Sequence, residues 1–205
     1  EWGDAARVGG VLNGVAYPII PSSHLGLPLV PHGDVGESLS IGAGALQVFD
    51  ASTSPRRIAA AASRFLSIES CGQCIPCKAE GLSATTWLEK RADDDATDAT
   101  EVARSLAAHA QRVTVGARCG LAGQQRDILE GLLAWHPDAL IASPGDSQST
   151  EPHVHAAVVA PISDIVDGYA VLDRRGDETQ PDWTRGPRWS GEYPASVVDV
   201  AMPGS

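Results

Sequence analysis

The middle of the chain repeats apolar and polar residues with the period of an α-helix. Ser54-Pro55 is a strong helix start, because serine is a favoured cap and proline fits the first helical turn. Apolar residues spaced three and four positions apart follow this start and recur in three later segments. The pattern predicts one helix that runs from this start up to Glu69, followed by helices over about 81–91, 101–114 and 122–135. Four amphipathic helices with short links form a bundle, so the predicted fold is mainly α.

The two flanks of this helical region lack the helical period. Residues 14–20 and 45–50 are predicted to form short strands in a segment that is rich in glycine and proline. Residues 153–160 and 168–173 are predicted strands beyond a polar linker, and an aromatic tail with Trp183 follows them. We therefore divide the chain into an N-terminal segment over 1–50, a helical domain over 51–141, and a linker, possible hairpin and extended partner-binding tail over 142–205.

Three of the four cysteines lie between the first two predicted helices. Cys71, Cys74 and Cys77 fall in SIESCGQCIPCKA, and Cys119 lies further along in GARCGLA. A C-x2-C-x2-C run with a remote fourth cysteine is a recurring ligand pattern for an iron–sulfur cluster. Zinc more often takes two separated pairs of ligands, and disulfides at this spacing seldom reach good geometry. The spacing favours a 4Fe-4S cluster and leaves zinc and disulfides as the alternatives.

Charged residues stand directly beside these cysteines. Lys78 follows Cys77, and Arg118 precedes Cys119. Their positive charges would stabilise a cluster with four thiolates, or they are ordinary solvated charges with little effect. Glu69 is expected to accept hydrogen bonds from amides of the cysteine loop.

Beyond this chemistry, the sequence resembles a known family. ESCGQCIPCK at 69–78, the preceding AAAASRFLSI and the later RCGLAG resemble the iron–sulfur domain of the flavoprotein subunit of respiratory complex I. The same module occurs in the diaphorase subunits of NAD-linked hydrogenases and formate dehydrogenases. The resemblance implies that Cys71, Cys74, Cys77 and Cys119 ligate one 4Fe-4S cluster at one end of the bundle. The flavin- and NADH-binding portion that normally precedes this module has no counterpart in the sequence, so FMN and NAD are expected only from another subunit or an upstream domain.

The expected function is that of an electron-transfer subunit of a multisubunit oxidoreductase, with no catalytic residues of its own. The chain has no P-loop, no G-x-G-x-x-G and no convincing acid–base pair. Expected partners are flavin- or cluster-bearing oxidoreductase subunits. One alternative is the C-terminal part of an NADH dehydrogenase flavoprotein. Another is a scaffold subunit without redox function, stabilised by zinc or a cluster.

The net charge and the cysteines limit the partners and the cellular compartment that we expect for the protein. The formal net charge of −11 argues against nucleic acid as a partner, since phosphates demand a basic surface. No apolar run approaches the roughly 20 residues of a membrane span. Cysteines that serve a cluster imply a reducing compartment. We expect a cytoplasmic protein that could work within a membrane-associated complex, without direct membrane insertion.

Overall fold

Four helices form the centre of the molecule, as a computed structural model shows for residues 8–15, 17–31, 39–40, 44–90, 99–140 and 162–172. The prediction of a mainly α fold is confirmed. The helices are α1 (Pro55–Glu69), α2 (Ile75–Lys90), α3 (Ala99–Val113) and α4 (Leu121–Trp135).

Three of these helices begin within two residues of their predicted starts, but α2 does not. It begins at Ile75 rather than near Gly81, and it therefore includes Cys77 and Lys78. Pro76 is the second residue of the helix, where its fixed φ is compatible with helical geometry and its missing N–H breaks no helical hydrogen bond. The end of the cysteine motif is therefore helical and not a loop.

The helices pack in a closed arrangement in which α1 contacts α2 and α4, while α3 contacts the same two helices. Neighbouring helices run antiparallel, as side-chain pairs show: Arg64 near the middle of α1 meets Glu89 at the end of α2, and Glu80 early in α2 meets Arg112 late in α3. The end of α1, the start of α2, the end of α3 and the start of α4 consequently lie at one end of the bundle. The core is mostly alanine, leucine and isoleucine, including Ile58, Ala62, Leu66, Leu88, Leu106, Ile128, Leu129 and Leu132.

A small antiparallel sheet covers one side of the helices. It is formed by β1 (Val8–Asn13), β2 (Ile19–Pro21) and β5 (Leu46–Asp50) in the order β2-β1-β5. Leu12 and Ile19 are buried in the same core as the helices, and α4 contacts β2. Strand β2 overlaps the end of the strand predicted over 14–20, and β5 lies within the strand predicted over 45–50.

Two further pairs of strands lie in the part of the chain that the structure describes. Strands β3 (Leu29–Val30) and β4 (Leu39–Ser40) pair in parallel. Strands β6 (Ile162–Val166) and β7 (Tyr169–Leu172) form a hairpin whose turn residues Asp167 and Gly168 both have positive φ, 51° and 82°. This turn geometry suits the right-handed twist of hairpins.

The hairpin bears out one of the two strands predicted after the linker. Strand β7 lies within the predicted 168–173, whereas the predicted 153–160 and the aromatic tail fall outside the described residues. Short 3-10 helices occur over Ser22–His24 and Pro137–Leu140. No helix in the described part of the chain is long and apolar enough to cross a membrane.

Candidate metal centre

The four cysteines lie at the two helix junctions that share one end of the bundle. Cys71 and Cys74 are in the connection between α1 and α2, and Cys77 is in the first turn of α2. Cys119 is in the connection between α3 and α4. Gly72 has φ of 76°, a left-handed conformation that bends the first connection back between its two cysteines. The structure thus brings both predicted ligand segments to the same place.

The thiols at this end are near enough to act on each other electrostatically. All four are free of disulfide bonds; Cys71 and Cys119 are exposed, and the other two are half-buried. The pKa of Cys77 is raised to about 11, by burial first and then by Cys119, Cys74 and Cys71, against the opposing charge of Lys78. Crowded thiolates repel one another, so their ionisation calls for a bound cationic group that compensates the negative charge. Within the described ranges, no group of three or more His, Cys, Asp or Glu side chains is placed so that it could hold a single metal ion.

Lys78 braces the connection between α1 and α2 from inside the protein. Its side chain is buried, with 2% exposure, and its Nζ donates hydrogen bonds to the carbonyl oxygens of Ser67 at 2.8 Å and Ser70 at 3.1 Å. The Ser70 hydroxyl also donates to the Ser67 carbonyl, at 2.7 Å. These carbonyls end α1, where a cation is favourable. The interpretation of Lys78 as a solvated charge is therefore wrong, whereas Arg118 is exposed.

Glu69 stands at the last position of α1, beside the same lysine. Burial raises the pKa of its carboxyl group, and the charge of Lys78 acts in the opposite direction. Its Oε1 is buried without a hydrogen-bond partner. The expected bonds from loop amides are therefore not observed at this oxygen.

A buried polar network continues from this junction into the bundle. The Thr85 hydroxyl of α2 is hydrogen-bonded to Ser63 at 2.8 Å and to Ser67 at 3.0 Å, both on α1. Gln125 of α4 donates from Nε2 to the Ser63 hydroxyl. The network joins three helices through side chains that are almost fully buried. Sequence reasoning missed it, although a serine, a threonine and a glutamine on otherwise apolar helix faces are a signal that could have found it.

A second set of polar side chains, which lies closer to the surface, joins α2 to α3. Glu80 accepts hydrogen bonds from Arg112 Nε at 2.9 Å and Nη2 at 3.0 Å, and its Oε2 lies 2.6 Å from His109 Nδ1. The hydrogen bond from Arg112 and then that from His109 lower the pKa of Glu80, while burial opposes them. Because Glu80 is one turn beyond Cys77, this pairing holds the start of α2 against the end of α3.

Part of the chain is similar to a known protein family. Residues 57–143 match the NADH-ubiquinone oxidoreductase-F iron-sulfur binding region. This match agrees with the resemblance carried by the cysteine motif and spans most of the helical part of the chain.

Similar proteins are named as a subunit of the same type of enzyme. Over 77 residues the chain is 36% identical to the F subunit of NADH-quinone oxidoreductase from Mycobacterium bovis (strain ATCC BAA-935 / AF2122/97) and from Mycobacterium tuberculosis (strains CDC 1551 / Oshkosh and ATCC 25618 / H37Rv). The aligned stretch is 38% of this chain and 16% of each relative. The chain thus matches only a small part of the length of these relatives.

The cysteines present fit an iron–sulfur cluster, the group named in the description of the matching family. Four cysteine thiolates are the complete donor set of a 4Fe-4S cluster. Two of the four cysteines lie in one connection, one lies at the start of a helix and one lies at the opposite junction.

Proposed function

We propose that Cys71, Cys74, Cys77 and Cys119 hold one 4Fe-4S cluster through which this protein passes single electrons within a multisubunit oxidoreductase. The observation that carries the proposal is that four free, mutually interacting cysteines meet at one end of the bundle, inside a region that matches an iron–sulfur binding family. When bound, the cluster supplies a one-electron acceptor and donor.

In this proposal the chain's own residues hold the cluster in place and take no part in bond-making chemistry. Cys74 and Cys77 are half-buried against the helices, whereas Cys71 and Cys119 are exposed. One side of the site therefore faces the packed bundle, which excludes water, and the other side is open to a partner. Such a division suits a relay, because electrons can enter and leave at the open side while the protein controls the potential from the buried side.

The partners in this proposal are flavin- or cluster-bearing oxidoreductase subunits. Its support is that the relatives are named as a subunit of NADH-quinone oxidoreductase, together with the short stretch of those relatives that the chain matches. We place the complex in the cytoplasm and assign residues 142–205 to partner binding. FMN and NAD belong to another subunit or to an upstream flavin domain; the second alternative makes this chain the C-terminal part of an NADH dehydrogenase flavoprotein.

The functional test is redox spectroscopy of the anaerobically purified protein. We expect a broad visible absorption that decreases on addition of dithionite, and a low-temperature EPR signal that appears in the reduced sample. A colourless protein without a reducible signal would contradict the relay and favour a zinc-stabilised scaffold.

A second experiment separates the two sources of electrons. NADH is added to the intact protein, purified by itself, and then to the same protein together with an NADH-oxidising flavoprotein. Reduction that requires the flavoprotein supports a relay subunit. Reduction by NADH alone would show that the intact product carries its own flavin domain.

A further inference from the structure

We propose that Lys78 sets the reduction potential of the cluster and positions its cysteine loop, whereas Arg118, which also neighbours a ligand, does neither. The inference rests on the proposed function and adds a named determinant of potential to it. The two residues differ in one respect that matters: the Lys78 side chain is 2% exposed, and that of Arg118 is exposed to solvent.

The positioning role follows from the hydrogen bonds of the ammonium group. Lys78 Nζ reaches back from the first turn of α2 to the Ser67 and Ser70 carbonyls at the end of α1. Its backbone N–H donates to the Cys74 carbonyl at 3.1 Å, and its chain neighbour is Cys77. One residue thus fixes both ends of the connection that carries Cys71 and Cys74, because it bonds to the segment before the connection and to the last residue within it.

The electrostatic role follows from burial. A charge inside the protein acts through a lower effective dielectric constant than a charge in water, and dissolved ions screen it less. Reduction adds one negative charge to the cluster, so a buried positive charge on the adjoining residue stabilises the reduced form. Arg118 carries the same formal charge next to Cys119, but water and salt screen it.

The test compares four proteins: the wild type, Lys78→Gln, Lys78→Arg and Arg118→Gln. Gln retains an amide donor for the carbonyls without the charge, and Arg retains the charge. For each protein, iron and sulfide content are measured first, and the midpoint potential is then determined by EPR-monitored redox titration. We expect Lys78→Gln to shift the potential by about 59 mV to more negative values, equivalent to a tenfold change in the one-electron reduction equilibrium.

The controls should stay close to the wild type. Lys78→Arg and Arg118→Gln are expected to keep both cluster content and potential. If Lys78→Gln loses its cluster while Lys78→Arg keeps it, the result supports the need for a charge at this position. Equal potentials in Lys78→Gln and the wild type, equal shifts in Lys78→Gln and Arg118→Gln, or loss of the cluster in both Lys78 variants would overturn the proposal.

These outcomes are distinct from a failure of the proposed function. If the wild-type protein contains no iron and no sulfide, the relay itself is wrong and no variant needs to be compared. If the wild type carries a reducible cluster and the variants behave alike, the relay stands and only the role of Lys78 fails.

Discussion

The two junctions that contribute cysteines are built in different ways. The α1–α2 junction is braced from within, by a buried lysine that bonds to the carbonyls of Ser67 and Ser70. The α3–α4 junction is open: Arg118, Cys119 and Gly120 are all exposed, as is Val115, at 58%. One junction is shaped by its own contacts, while the other depends on the bundle to bring a single cysteine to the site. The grouping of three of the proposed ligands is therefore a local property of the sequence, and the approach of the fourth is a property of the fold.

The largest expected effect is that of removing a ligand from either junction. Cys77→Ser and Cys119→Ser should both lose most of the bound iron, because a cluster of this type needs its four thiolates. Both should also lower the thermal unfolding temperature, since a cluster links the junctions and its binding energy is part of the folding energy.

Iron analysis and calorimetry of the two variants check this expectation. Ser83→Ala, at an exposed position of α2, is a suitable control and should retain iron. Full iron and sulfide content in Cys119→Ser would show that the open junction does not contribute a ligand.

Lys78 and Arg118 are expected to contribute differently to the stability of the protein. Lys78→Met should destabilise the protein by about 1–3 kcal/mol, because buried carbonyl groups at the end of α1 lose their charged donor. Arg118→Met, at an exposed position, should change stability by less than about 0.5 kcal/mol. For a chain of this size, each kcal/mol corresponds to a shift of roughly 2–4 °C in unfolding temperature. Similar unfolding temperatures of the two variants would contradict the difference between the junctions.

The buried hydrogen bonds of Thr85 are expected to stabilise the core of the bundle. Thr85→Val removes the hydroxyl that Ser63 and Ser67 share, and it should cost about 1–3 kcal/mol because buried polar groups lose a partner. The adjacent Thr86 is exposed, so Thr86→Val provides a matched control with the same chemical change. Chemical denaturation of the pair measures the difference. A stability of Thr85→Val equal to that of Thr86→Val would show that the network adds nothing.

The smallest effect is a pH dependence from the contact between α2 and α3. Hydrogen bonds from Arg112 and His109 lower the pKa of Glu80 below its ordinary value of 4.5. The unfolded chain then binds this proton more readily than the folded one, so the stabilisation is present above pH 4.5 and is lost as the pH falls through the lowered pKa.

Unfolding curves of the wild type and Glu80→Gln between pH 7 and pH 3 test this expectation. The wild type should lose more stability than the variant below about pH 4.5, where Glu80 begins to take up a proton. Identical slopes for the two proteins would contradict the role of Glu80.

The helices could be predicted from the sequence because their signals are local. Ser54-Pro55 defines the start of α1, and apolar spacing defines α3 and α4. The start of α2 was missed because its first turn consists of the cysteine motif and Pro76, which have no amphipathic period.

Strand β1 was missed for a similar reason. It contains Gly9 and Gly10, which weaken a strand signal, yet the fold needs them: a Cβ at Gly9 would lie 2.7 Å from Ala51 Cα, and one at Gly10 would lie 2.7 Å from the Ile20 carbonyl oxygen. Close packing between segments that are distant in sequence requires these glycines, and no local pattern reports it.

The candidate ligands could be proposed from the sequence, but their surroundings could not. The spacing of Cys71, Cys74 and Cys77 with the remote Cys119 is a ligand pattern, and the resemblance assigned the same four residues. The burial of Lys78 depends on the early start of α2, which turns this side chain toward the end of α1. A charge next to a ligand can be solvated or buried, and only the packing of the two helices decides which.

The most direct test of the central claim, that both junctions hold one cluster, is the iron, sulfide and zinc content of the anaerobically purified protein. We expect about four irons and four sulfides per chain and no stoichiometric zinc, since one 4Fe-4S cluster would occupy all four cysteines. One zinc per chain without sulfide would contradict it, and the cysteines would then form a structural metal site in a protein that carries no electrons.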